Sequence, residues 1–116
     1  MYNLVLLAAR PPEWTHERFI DWWRGEHAEL TRRLPGLRSW RHTDLDAALE
    51  PRSEGWDGLS VLGFDTPEDL RTALASPEWA AAVAQVGDMR GRRIAVMGGE
   101  AELYADPAQR TEHTGA

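Results

Sequence analysis

The sequence predicts an α+β fold, a four-stranded antiparallel sheet with helices on one face. Three observations carry this. Two short apolar runs, 2–9 and 58–64, have strand length and end at breakers. Two stretches of helical periodicity each open on a Ser or Thr cap. The elements also follow one another in the order strand-helix-strand-strand-helix-strand.

The first run, YNLVLLAA (2–9), has no polar face after Asn3 and reads as a buried strand, stopped by Arg10-Pro11-Pro12. Thr15 caps the helix that follows, with Glu17 in the first turn favouring the helix dipole. At 100° per residue His16, Phe19, Ile20, Trp23, His27, Leu30 and Leu34 share one face, and Pro35-Gly36 ends the helix. Residues 37–45 alternate as a strand, with Leu37, Ser39, Arg41, Thr43 and Leu45 on one side and Arg38, Trp40, His42 and Asp44 on the other. A long loop covers 46–57, and GLSVLGF (58–64) is the third strand. Thr66-Pro67-Glu68 opens a helix to about Ala75, and Ser76-Pro77-Glu78 opens another carrying Trp79, Val83 and Val86. Residues 92–104 form the last strand, with a bulge or bend at Gly98-Gly99. One domain over 1–105 is expected, followed by a disordered tail over 106–116.

This order is the ferredoxin-like β-α-β-β-α-β arrangement. Its first and third strands are apolar on both faces: Leu4, Leu6 and Ala8 against Val5, Leu7 and Ala9, and Leu59 and Val61 against Leu62 and Phe64. Helices cover one side only, so the other is a standing association surface, and a second copy of the chain is the expected cover. A homodimer follows as an expectation.

Composition removes much chemistry. All 13 basic residues are arginines, which excludes Schiff-base lysines, and the absence of cysteine excludes thiol nucleophiles and thiolate metal sites. A net charge of −6 argues against nucleic acid, and no apolar run approaches the roughly 20 residues of a membrane helix. Without a signal peptide pattern, a soluble cytoplasmic protein is expected. No histidine pair with metal-ligand spacing, no glycine-rich phosphate loop and no serine elbow is present, so neither a metal nor a cofactor is expected.

Four histidines and 19 carboxylates remain. His27, between Trp23 and Leu30 or Thr31, should point under the helix toward the sheet. Burial disfavours the charged imidazole, which leaves a neutral base suited to proton abstraction; the residues alone favour the plainer reading, a core histidine bonded to a backbone carbonyl. Trp40 and His42 share one strand face and meet His27 across a cavity if that face looks at the helices. Trp14, Trp22, Trp23, Trp40, Trp56 and Trp79 could fill the core or line a pocket for a flat hydrophobic ligand. Trp23, Trp40 and Trp79 are favoured to hold its ring, with Tyr2 and Phe64 as further candidate walls. Arg38, or less directly Arg41, could help hold an enolate. His16 reads as a capping or rim residue, and His113 has no assigned role.

The blocks FIDWWRGEHAELTRRLPGLRSW (19–40) and WDGLSVLGFDTPEDLRTALASPEW (56–79) resemble the EthD family, of the dimeric α+β-barrel superfamily, over residues 2 to about 104. The resemblance implies two ferredoxin-like subunits with their sheets back to back, each keeping a pocket between its own sheet and helices. It also implies that His27 and the aromatic residue thirteen positions later, here Trp40 where tyrosine is usual, line that pocket. Trp40 and His42 would then face the helices.

The function expected is a cofactor-independent cyclase, dehydratase or isomerase acting on a hydrophobic aromatic or polyketide-like carbonyl compound. His27 and His42 would be its catalytic residues; Trp23, Trp40, Trp79, Tyr2, Phe64 and Arg38 would bind substrate. The alternatives are a cofactor-free monooxygenase of activated phenols, a haem-degrading enzyme, and a non-catalytic protein that binds a hydrophobic ligand.

Overall fold

The computed structural model describes residues 1–87 and 92–108. Strands β1 (Tyr2–Ala8), β2 (Ser39–Asp44), β3 (Gly58–Phe64) and β4 (Arg93–Gly99) form one sheet in the order β2-β3-β1-β4. All neighbours are antiparallel, with β1 pairing from Tyr2↔Phe64 to Ala8↔Gly58 on one side and from Tyr2↔Gly99 to Ala8↔Arg93 on the other. That is the ferredoxin-like order.

The helices lie on one face. Helix α1 (His16–Trp22) passes through a π-helical turn (Trp23–His27) into α2 (Ala28–Thr31), while α3 (Pro67–Leu74) and α4 (Pro77–Val86) connect β3 toward β4. Their caps are those expected: Thr15 Oγ1 accepts from Arg18 N–H, Thr66 Oγ1 from Asp69 N–H and Ser76 Oγ from Trp79 N–H. Strand alternation sends Leu4, Leu62 and Phe64 into a core with Leu34, Leu70 and Ala73, and Ala8 into a second cluster with Phe19 and Trp23. Val5, Leu7, Leu59 and Val61 therefore point to the opposite face, joined by Ile94 and Val96 of β4 through the register. Ile94 and Val96 are 47% and 56% exposed, so among the described residues nothing covers that part of the face. Its polar elements include Arg41, paired with Glu100 at 3.7 Å, and Asn3, which donates to Glu100 at 3.0 Å.

Two boundaries and one expected bulge differ, the boundaries each for a local reason. The first helix ends at Thr31 rather than Leu34, because Arg33 and Leu34 N–H tighten onto the carbonyls of Leu30 and Thr31 before Gly36 turns the chain at φ +76°. Strand β4 stops at Gly99, not 104, because its partner β1 runs out: the last bond is Glu100 N–H to Met1 O. Gly98 and Gly99 form no bulge but pair in register with Asn3 and Tyr2. Of the expected tail, Asp106 Oδ1 accepts from Ala108 N–H at 3.0 Å, and 109–116, with His113, lie outside the described residues.

Candidate active site

The π turn shapes the site. A regular helix would continue the buried stripe from Trp23 to His27 and Leu30. The wider turn over Trp23–His27 advances the phase by one residue, so the buried positions become Ala28 and Thr31, with Leu30 only half-buried. The same widening lets residues five apart meet face to face: the Trp22 indole and His27 imidazole stack with centroids 4.6 Å apart and planes inclined by 20°.

His27 is half-buried, and its Nδ1 lies 3.0 Å from Oε1 of Gln85 on α4. An amide oxygen only accepts, so Nδ1 carries the proton and Nε2 keeps the lone pair. Burial lowers the pKa of the ring below 6.5, the Gln85 bond opposes that, and the nearby positive charge of Arg93 lowers it further. The result is a neutral base at pH 7 with a fixed tautomer. Its partner is a side chain from another helix rather than the backbone carbonyl that a packing histidine would use.

Beside His27 the space between helices and sheet opens into a hollow of about 370 Å³, within the usual range for small-molecule sites. Phe19, Trp22, Trp23, Val83 and Val86 supply its apolar wall, and Arg92 and Arg93 stand at the β4 side. The rings support each other: Phe19 stacks on Trp22 at 5.9 Å and leans on Trp23 at 5.5 Å, while Trp14 meets Trp22 edge-on at 6.2 Å. Trp40 and Trp79 instead bound a narrower cleft next to it, of about 30 Å³, which His27, Trp23 and Arg93 also border. That is room for one water, and Trp40 is tied down there by its Nε1–H donating to Ser60 Oγ at 3.0 Å.

The other expected site residues fall elsewhere. His42 faces the helices, but it lines neither space; its ring meets Trp23 at 4.4 Å, close over Gly58. Arg24 Nε–H donates to its Nδ1 at 2.9 Å, and burial together with the Arg24 charge brings its pKa to about 4. The remaining proton is on Nε2, which is buried and meets no hydrogen-bond partner among the described residues. His42 therefore offers the hollow no base. Phe64 is fully buried in the core, and Tyr2 packs against that core. Arg38 pairs with Asp65 on the surface at 3.0 Å, and Arg41 lies on the opposite sheet face.

Sequence reasoning offered Trp22 as one of six tryptophans without singling it out, and missed Phe19, Gln85, Arg92 and Arg93 as lining residues. Of these, Gln85 was the hardest to find, since no local pattern shows which α4 residue meets a histidine 58 positions earlier. It also understated His16, which forms a charged cluster rather than a cap. His16 Nδ1 lies 2.7 Å from Asp57 Oδ1 and Nε2 lies 2.6 Å from Asp44 Oδ1, while Arg10 bonds Asp57 through backbone and guanidinium. Hydrogen bonding to Asp57, opposed by burial and helped by Asp44, raises the His16 pKa. For Asp57, burial acts upward, but His16 and Arg10 outweigh it and the net shift is downward. This cluster borders an open groove of about 760 Å³ below the 46–57 loop. The groove is larger than the His27 hollow, but the charged groups of its cluster already satisfy one another.

Comparison with known proteins follows the same lines. The EthD domain profile matches residues 11–89. Among solved structures, an EthD family protein from Bacillus halodurans C-125 is 24% identical, with a TM-score of 0.74 over 87% of this chain and 99% of that one. A dimeric ferredoxin-like protein of unknown function from Thermobifida fusca is 19% identical, with a TM-score of 0.63 over 85% and 90%. A hydroxynitrile lyase from Passiflora edulis is 16% identical, with a TM-score of 0.70 over 90% and 96%. At these identities the likeness is one of fold. Comparison with curated proteins gave no match.

Proposed function

The chain belongs to the EthD domain family, and from that premise we propose that it is a cofactor-independent lyase or isomerase acting by proton transfer on a ring-bearing carbonyl compound. The observation that carries this is the His27 imidazole, neutral and with its tautomer fixed by Gln85, at the edge of an indole-walled hollow of about 370 Å³. In the reaction, Nε2 takes a proton from the carbon next to the substrate carbonyl. The C–H electron pair forms the enolate, and the resulting imidazolium returns its proton to another carbon or to a leaving oxygen. In isomerisation the proton returns to another carbon; in dehydration the enolate expels a β-hydroxyl, which leaves with that proton as water. In ring closure the enolate carbon bonds to a second carbonyl carbon of the same substrate, whose oxygen takes the proton. The Trp22, Trp23 and Phe19 rings hold the substrate and keep water away, while His42 serves Trp23 as packing. That a lyase occurs on this fold in Passiflora edulis is consistent with such chemistry.

The open apolar face supports a homodimer with sheets back to back, and the Thermobifida fusca protein of similar fold is described as dimeric. No described helix is long and apolar enough to cross a membrane; a cytoplasmic location belongs to the same proposal.

The test uses 2-tetralone, a ring ketone with exchangeable α-protons, in deuterated buffer followed by proton NMR. The protein should accelerate exchange, and His27→Ala should lose at least about 10²-fold of that acceleration. No acceleration, or full acceleration in the variant, would overturn the reading.

A further inference from the structure

We infer that the ligand of the His27 hollow carries an anionic oxygen, a carboxylate or an acidic enol, and that Arg93 is the residue that pairs with it. The inference rests on the functional reading above and narrows its substrate to a hydrophobic ring acid. Three observations support it.

The first is the charge of the lining. The chain carries a net charge of −6, yet the hollow has no carboxylate among its lining residues, and its formal charges are the guanidinium groups of Arg92 and Arg93. A concave apolar site lined by one sign of charge selects the opposite sign.

The second is the state of Arg93 itself. Arg10, Arg32, Arg38, Arg41 and Arg71 each pair with a carboxylate. Arg92 is committed to the Trp56 ring at 3.9 Å and to the Glu54 carbonyl at 3.1 Å. Arg93 meets no carboxylate among the described residues. Its five donors are available for planar, two-pronged recognition of a carboxylate.

The third is placement. Arg93 opens β4 opposite Ala8, on the helix-facing side, and borders both the hollow and the narrow cleft together with His27. Burial is the main cause that lowers the pKa of the imidazole, and the charge of Arg93 adds to it. An anion bound to Arg93 would therefore sit within reach of the base's field, and an enolate oxygen formed by His27 would find its counter-charge there.

The experiment compares 1-naphthoate with its neutral isostere 1-naphthamide, by quenching of tryptophan fluorescence and by calorimetry at low salt. The unaltered protein should bind the naphthoate about tenfold more tightly or better. Arg93→Gln should bring the two Kd values within about twofold without weakening the amide, and Arg93→Lys should keep part of the preference. Equal affinities in the unaltered protein, or a preference that survives Arg93→Gln, would overturn the inference while leaving the hollow as a ligand site. Binding of neither compound would overturn the hollow itself and this inference with it. Failure of the 2-tetralone exchange alongside an intact naphthoate preference would remove the catalytic reading and leave the anion site standing.

Discussion

At the scale of single residues, the account turns on which nitrogen of His27 holds the proton. Gln85 accepts from Nδ1 and so fixes Nε2 as the base. Because burial lowers the pKa of this ring, the basic form predominates at neutral pH, and the rate should fall as pH drops below 6.5 through the lowered value. The Gln85 bond opposes that lowering, so Gln85→Ala should carry the acidic limb of the rate profile to still lower pH and reduce the plateau. A Gln85 that only packs would leave the limb in place. His16 behaves in the opposite sense. Its folded pKa is raised by Asp57 and Asp44, so its charged form stabilises the fold below the unfolded value near 6.5, and the stabilisation fades as pH rises through the higher folded value. His16→Gln should therefore lower Tm more at pH 6 than at pH 9, and an equal loss at both would refute the clamp.

At the scale of elements, most of the fold was legible in the sequence because its signals are local. The Thr15, Thr66 and Ser76 caps placed the starts of α1, α3 and α4, and the two-sided apolar runs placed β1 and β3, within a residue or so. The far end of the first helix and the end of β4 were not legible, since they depend on helix tightening and on the length of a partner strand. The π turn was hidden for a related reason: WRGEH fits an ordinary helix, and only packing against the sheet reveals the extra residue. That hidden turn is why Leu30 was expected inward where Thr31 is found, and why Trp22 was not favoured over the other tryptophans. Deleting Gly25, whose surroundings are open, should restore a regular helix, keep the fold and break the Trp22–His27 stack. Such a variant should retain cooperative melting and lose naphthoate binding; retained binding would mean that the turn does not shape the site. Gly58 shows the opposite limit. A Cβ there would lie 2.6 Å from the Trp23 ring and 2.9 Å from His42 Nε2, so Gly58→Ala should cost about 1–3 kcal/mol on denaturant unfolding.

At the scale of the whole molecule, two surfaces of one sheet divide the work. The helix-facing side holds the core and the hollow, and the far side presents Val5, Leu7, Leu59, Val61, Ile94 and Val96. Placing a charge at its centre, as in Val61→Arg, should yield monomers by sedimentation velocity, with the His27 hollow still able to quench on binding naphthoate. A variant that sediments as a dimer would show that the association uses another surface. Sequence patterning exposed the two-sided sheet directly, because alternation reports both faces. It could not say how much space remained beneath the helices, since that depends on where α4 seats Val83, Gln85 and Val86 against the first helix.

The most direct test of the central claim needs no substrate: a long-range proton–nitrogen NMR spectrum of the imidazoles, titrated from pH 4 to 8. The account predicts that His27 is neutral at pH 7 with its proton on Nδ1, that it titrates below 6.5, and that its Nε2 resonance moves when 1-naphthoate is added. A His27 found with the proton on Nε2, or titrating at or above 6.5, would contradict it.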